Sequence, residues 1–120
     1  MDIEQAINGW IDTRKRLEKN WSQPIKLSDI MLKMSTYLSY IGDHLGLLKE
    51  KYEAERAKSY MEHLQAGKSA SNSENLARVE TAEIRGQINK LELTLKNGQN
   101  LVSVGQSRLR VLENEARVQI

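Results

Sequence analysis

Apolar side chains recur along this chain at steps that alternate between four and three residues, and they do so in two long runs. The first is Leu27, Met31, Met34, Leu38, Ile41, Leu45, Leu48 and Tyr52. The second is Ala77, Thr81, Ile84, Ile88, Leu91, Leu95, Gly98, Val102, Gly105, Leu109, Leu112 and Ala116. Steps averaging about 3.5 residues keep one stripe of a helix turned toward a neighbouring helix, whereas a strand alternates every second residue. Between the runs lies Ala66-Gly67-Lys68-Ser69-Ala70-Ser71-Asn72-Ser73. Its Gly, Ser and Asn favour turns over helix interiors. Two seams joined by so short a turn should fold back on each other. Each well-buried Leu or Ile contributes about 1.5–3 kcal/mol, enough in sum to hold the pair together. The expected fold class is all-α: a long antiparallel helical hairpin, coiled-coil-like, with a shorter N-terminal helix.

The expected boundaries follow from local signals. One domain spans 1–120, a length typical of one. The N-terminal helix is expected over 2–21, capped by Asp2 with Glu4 in its first turn, where the helix dipole favours acid. Its apolar positions are Ile3, Ile7, Trp10, Leu17 and Trp21, with Arg14 in the missing step. Pro24 disfavours helix in the residue before it. The first hairpin helix is expected over 28–66 from an N-cap at Ser28, its seam shifting beyond Tyr52 to Ala57, Tyr60 and Leu64. A turn over 67–72 follows. The second hairpin helix is expected over 73–118, opened by a capping box of Ser71 and Glu74.

Composition narrows the function classes. The chain has no Cys and no Phe, one Pro, two Trp and four Tyr. Without Cys there is no disulfide, thiolate ligand or thiol nucleophile. So few aromatics suit thin leucine-type packing between helices. Charged residues make up 28% with a net charge of only +2, a surface of mixed sign rather than that of a strongly basic nucleic-acid binder. No run approaches the ~20 apolar residues that cross a bilayer, so no membrane role is expected. The opening Met1-Asp2-Ile3-Glu4 has no basic region followed by an apolar run, and a cytoplasmic location is expected.

Catalytic and metal-binding patterns are missing. His44 and His63 have no Asp, Glu or His three or four residues away, so neither belongs to a helical metal pair or a local acid–base pair. Gly67-Lys68-Ser69 mimics the end of a phosphate-binding loop, but Glu62 stands where that loop requires its first glycine. No catalytic residue, cofactor or metal is expected, and the chain is read as non-enzymatic.

Three surfaces are candidates for partner binding. Arg14, Lys15, Arg16 and Lys19 lie beside Trp21, and cations next to an aromatic suit a nucleic-acid backbone with a stacked base. Asp12 and Glu18 dilute that field, and an ordinary polar helix face is the alternative. Lys33, Tyr37, Tyr40, His44 and Lys51 share one flank of the first hairpin helix, a mixture that suits a protein hot spot. The alternative is that the N-terminal helix packs there. Lys68 and Arg78, with Arg56, Lys58 and His63, bring positive charge to the turn, which is either a contact tip or a plain solvated end.

Gly98 and Gly105 stand at seam positions, where each costs about 1 kcal/mol relative to Ala in a helix interior. They mark either a close approach that receives a bulky side chain, such as Trp10, Trp21 or a partner's helix, or a break in the helix.

Around the turn the chain reads Leu48-Lys49-Glu50-Lys51-Tyr52-Glu53-Ala54-Glu55, then Gly67-Lys68-Ser69-Ala70-Ser71, then Arg78-Val79-Glu80-Thr81-Ala82-Glu83. It later reads Val104-Gly105-Gln106-Ser107-Arg108-Leu109-Arg110-Val111-Leu112-Glu113. Over roughly residues 45–115 this resembles small helical accessory proteins of bacteriophages and prophages, encoded among early replication, recombination and anti-defence genes. The resemblance implies a phage origin and an accessory role in recombination, replication or inhibition of a host defence nuclease. It carries over no site residues. The leading expectation is a homo-oligomeric protein that binds a protein partner in nucleic-acid processing. The alternative is direct nucleic-acid binding through the basic N-terminal helix.

Overall fold

The computed structural model describes residues 1–118, which form an all-α protein: a coiled-coil-like helical hairpin with a shorter helix ahead of it. Four helices follow in order, α1 (Ile3–Lys19), α2 (Pro24–Gln65), α3 (Ala70–Glu80) and α4 (Ala82–Val118). There is no strand among the described residues. Contacts group the chain into two compact units, one of Met1–Gly42 with the chain from Leu93 onward, the other of Asp43–Glu92.

In the first unit α1 opens with a capping box. The Gln5 N–H donates to Asp2 Oδ1 at 2.8 Å, and the Asp2 N–H donates to Gln5 Oε1 at 3.0 Å. The buried face of α1 is Ala6, Trp10, Thr13 and Leu17. Thr13, not Arg14, fills the missing step of the seam. Its hydroxyl donates to the Trp10 carbonyl at 2.8 Å, which satisfies that buried group within the helix. Ile3, Ile7 and Trp21 are half-buried and Arg14 is exposed.

The link to α2 is shorter than expected. α2 begins at Pro24, not Ser28, because proline lacks the N–H that a first helical turn leaves unbonded, and its fixed φ suits that turn. The α2 side of this core is Leu27, Ile30, Met31, Met34, Leu38 and Ile41. The α4 side uses Gly98, Gly105 and Leu112, with Leu95, Val102 and Leu109 half-buried. Ala116, the last seam position expected, is exposed. The register is antiparallel: Met31 lies against Gly105, and seven residues later Leu38 lies against Gly98.

In the second unit α2 ends in a Schellman arrangement. Gly67 takes φ +88, the Lys68 N–H donates to the His63 carbonyl at 3.2 Å, and the Gly67 N–H donates to the Leu64 carbonyl at 3.0 Å. The return helix starts at Ala70, earlier than expected. Its cap is Ser69, whose hydroxyl accepts from the Asn72 N–H at 3.1 Å, so the expected box of Ser71 and Glu74 is not the one that forms. The return is also interrupted. Thr81 caps α3, and its hydroxyl and N–H both donate to the Ala77 carbonyl, at 2.7 and 3.1 Å, a local competition that bends helices. Leu45, Ile88 and Leu91 form the apolar part of this unit's core. Nearer the turn the buried residues are Ser59, Ser73, Ala77 and Thr81, all small and three of them hydroxylated.

Candidate functional site

Beyond Tyr52 two of the three positions of the expected shift, Tyr60 and Leu64, are half-buried. Beside them the original phase of the α2 seam continues and turns polar. Ser59, seven residues past Tyr52, is buried, Arg56 and His63 are half-buried, and Ala57 is exposed. The burial of these side chains rests on partners contributed by α3. The Ser59 hydroxyl donates to Glu80 Oε2, and His63 Nε2 lies 2.8 Å from Glu80 Oε1. Lys68 Nζ lies 2.7 Å from His63 Nδ1. An ammonium can only donate, so Nδ1 accepts and Nε2 carries the proton given to Glu80. Hydrogen bonds from Ser59 and then from His63 hold the Glu80 carboxyl below its ordinary value, outweighing the opposing effect of desolvation.

This is not a nucleophile relay. In a Ser–His–acid arrangement the imidazole faces the hydroxyl, whereas here the carboxylate stands between the two and takes both bonds. The cluster fastens α3 to α2 where apolar burial is small.

A second polar cluster lies on the same pair of helices. Arg56 donates from Nη1 to the Tyr52 hydroxyl at 3.2 Å and from Nη2 to Glu74 at 3.1 Å. Arg78 reaches the same Glu74 oxygen at 3.6 Å. The guanidiniums of Arg56 and Arg85 lie 6.0 and 5.6 Å from the Tyr52 ring centre. Lys68 and Arg78 are therefore engaged with His63 and Glu74.

The basic residues of α1 do not gather around Trp21. Arg14, Lys15, Arg16 and Lys19 are exposed. Arg14 lies 4.7 Å over the Trp10 ring, and Arg16 pairs with Asp12 at 3.1 Å. Trp21 is met by Arg108 of α4 instead. That guanidinium sits 5.8 Å from the ring centre and donates to the Trp21 carbonyl at 3.0 Å and to Ser22 Oγ at 3.1 Å.

The flank candidates also divide. Tyr37 packs on Gly9, its Cδ1 standing 2.7 Å from where a Cβ there would be, so α1 occupies that part of the flank. Lys33 pairs with Asp29 at 3.2 Å, and Tyr40 is exposed. In the other unit His44 is half-buried and Lys51 lies 3.9 Å from Glu55.

The glycines of α4 are close-packed. A Cβ on Gly98 would stand 2.7 Å from Leu38 Cδ1 and 2.8 Å from Trp10 Nε1, and one on Gly105 would stand 2.8 Å from Met31 Sδ. The buried Trp10 Nε1–H has no hydrogen-bond partner in the structure.

On α2 and α4 of this unit lies an open groove of ≈ 440 Å³ that no residue of α1 lines. Leu38, Leu95 and Val102 provide its apolar surface. Ser35, Ser39 and Gly42 line it from α2, and Gln99, Ser103 and Gln106 from α4. None of these residues is charged.

Among the described residues no group of three or more His, Asp or Glu is placed to hold a metal ion, and no helix is long and apolar enough to cross a membrane. Comparison with protein-family models, curated proteins and solved structures finds no match.

Ser59, Glu80, Arg85 and Arg108 carry no local signal of these roles that the sequence patterns above pick out. Ser59 was within reach, because the heptad running through Leu45 and Tyr52 lands on it. The others act through side chains that meet only once the chain has folded back.

Proposed function

We propose that the protein is a non-enzymatic accessory factor that binds a protein partner through a helix face. The observation that carries this reading is the uncharged groove on α2 and α4 of the first unit, in a chain with 28% charged residues. Apolar positions framed by small and amide side chains suit an amphipathic helix laid into a groove, with the small residues allowing a close backbone approach. A second copy of the chain is one such helix source, and homo-oligomer formation belongs to the same proposal. In this reading, which the resemblance around the hairpin supports, the role belongs to phage recombination, replication or anti-defence in the bacterial cytoplasm. Direct nucleic-acid binding by α1 ranks second, because Arg14 and Arg16 are engaged within the chain and Arg108 lies against Trp21.

Affinity purification from bacterial lysate tests the reading, comparing wild type with Ser103→Glu, which puts a charge into the groove at an exposed position. A stoichiometric protein partner, lost in the variant, is the expected result. Equal recovery with both chains, or no partner and a monomeric mass, would contradict it.

A further inference from the structure

Three arginines of the second unit line one open cavity of ≈ 560 Å³. Arg56 comes from α2, Arg78 from α3 and Arg85 from α4; Tyr52 and Asn89 complete its polar lining. No carboxylate lines it. Three helices thus converge cations on one place, which repulsion opposes unless something offsets it. Part of the offset is visible. Glu74 holds Arg56 at 3.1 Å and Arg78 at 3.6 Å from one edge, and the Tyr52 ring lies beneath the guanidiniums of Arg56 and Arg85. Arg85 meets no carboxylate among the described residues. Three guanidiniums against the single Glu74 carboxylate leave a net charge of about two.

We propose that this cavity is a binding site for a phosphate dianion, either inorganic phosphate or a terminal monoester. Guanidinium forks match phosphate oxygens geometrically and bond them with charge assistance. The Asn89 amide adds a neutral donor. A net charge of two matches a monoester dianion better than the single charge of a backbone diester. Arg56 is already oriented by Tyr52 and Glu74, so little of its freedom remains to be lost on binding. The site does not depend on the groove of the first unit.

The dianion can be free phosphate or the 5′-phosphate of a strand, and calorimetric titration of the full chain at low salt and pH 8 separates them. One arm uses inorganic phosphate with chloride as control; the other uses a short oligonucleotide with and without a 5′-phosphate. Saturable binding of phosphate, or of the phosphorylated strand over its 5′-hydroxyl form, is expected. Arg85→Gln should weaken it by about tenfold or more, since one charge-assisted contact is lost. Glu74→Gln should strengthen it, because a competing carboxylate is removed. Arg85 is exposed, so its variant keeps the fold, which its melting curve checks. Binding by phosphate alone identifies a free ligand, and binding by the phosphorylated strand alone identifies a strand end. The proposal is overturned if neither probe binds above the chloride control, or if Arg85→Gln binds as wild type does.

Discussion

Leu38 occupies the space that a side chain at Gly98 would need, its Cδ1 standing 2.7 Å from that Cβ position while Trp10 Nε1 closes it from α1 at 2.8 Å. Gly98 is therefore the point where all three helices of the first unit meet. Substituting Gly98→Ala should overpack this junction and lower stability by about 1–3 kcal/mol, despite the better helix propensity of alanine. Chemical denaturation of wild type and variant checks it.

The opposite sign is expected where a helical glycine faces open space. Nothing lies within 4 Å of a Cβ added to Gly46 or Gly86. Gly46→Ala and Gly86→Ala should each raise stability by about 0.4–1 kcal/mol, through lost freedom of the unfolded chain. The same denaturation series measures both signs.

Glu80 gives the polar seam a pH dependence of known direction. Its folded carboxyl titrates below the ordinary value because Ser59 and His63 bond the charged form. The stabilisation is therefore complete above the unfolded value of about 4.3 and is lost as pH falls through the folded value. The melting temperature of wild type should exceed that of Glu80→Gln at pH 7, and the gap should close as the pH falls below about 4. A gap that persists unchanged at pH 3 would remove Glu80 from the seam.

Arg108 fastens the joint of α1 and α2 to α4 with two hydrogen bonds and a stacked ring. Arg108→Ala should cost about 1–3 kcal/mol and speed amide exchange around residues 20–23. Arg108→Lys should recover little, because an ammonium cannot reproduce the planar fork. Hydrogen exchange with mass spectrometry reads the local effect separately from the global one.

The alternating seams made the hairpin legible in the sequence, since Leu27 to Leu45 and Ala77 to Leu112 repeat with a period that only packed helices use. The turn was legible from Gly67 and its serine neighbours. Other features were not, for identifiable reasons. Burial of Thr13 and Ser59 depends on a carbonyl and a carboxylate that satisfy their hydroxyls, and hydrophobicity does not encode that. The break at Thr81 arises from a local hydroxyl bond in a stretch whose heptad phase is uninterrupted. The arginine cavity draws on Arg56, Arg78 and Arg85, three residues that no local motif links.

Photo-crosslinking from the groove itself reads out whether another chain occupies it. A benzoylphenylalanine placed at Ser103, an exposed position on the groove wall, is activated in living bacterial cells and the adducts are resolved by mass spectrometry. A discrete adduct with another chain, either a distinct protein or a second copy, is expected, and Ser39→Arg on the opposite wall should abolish it. Adducts confined to the chain itself, or an intermolecular adduct that Ser39→Arg leaves unchanged, would contradict the assignment of this groove as the binding surface.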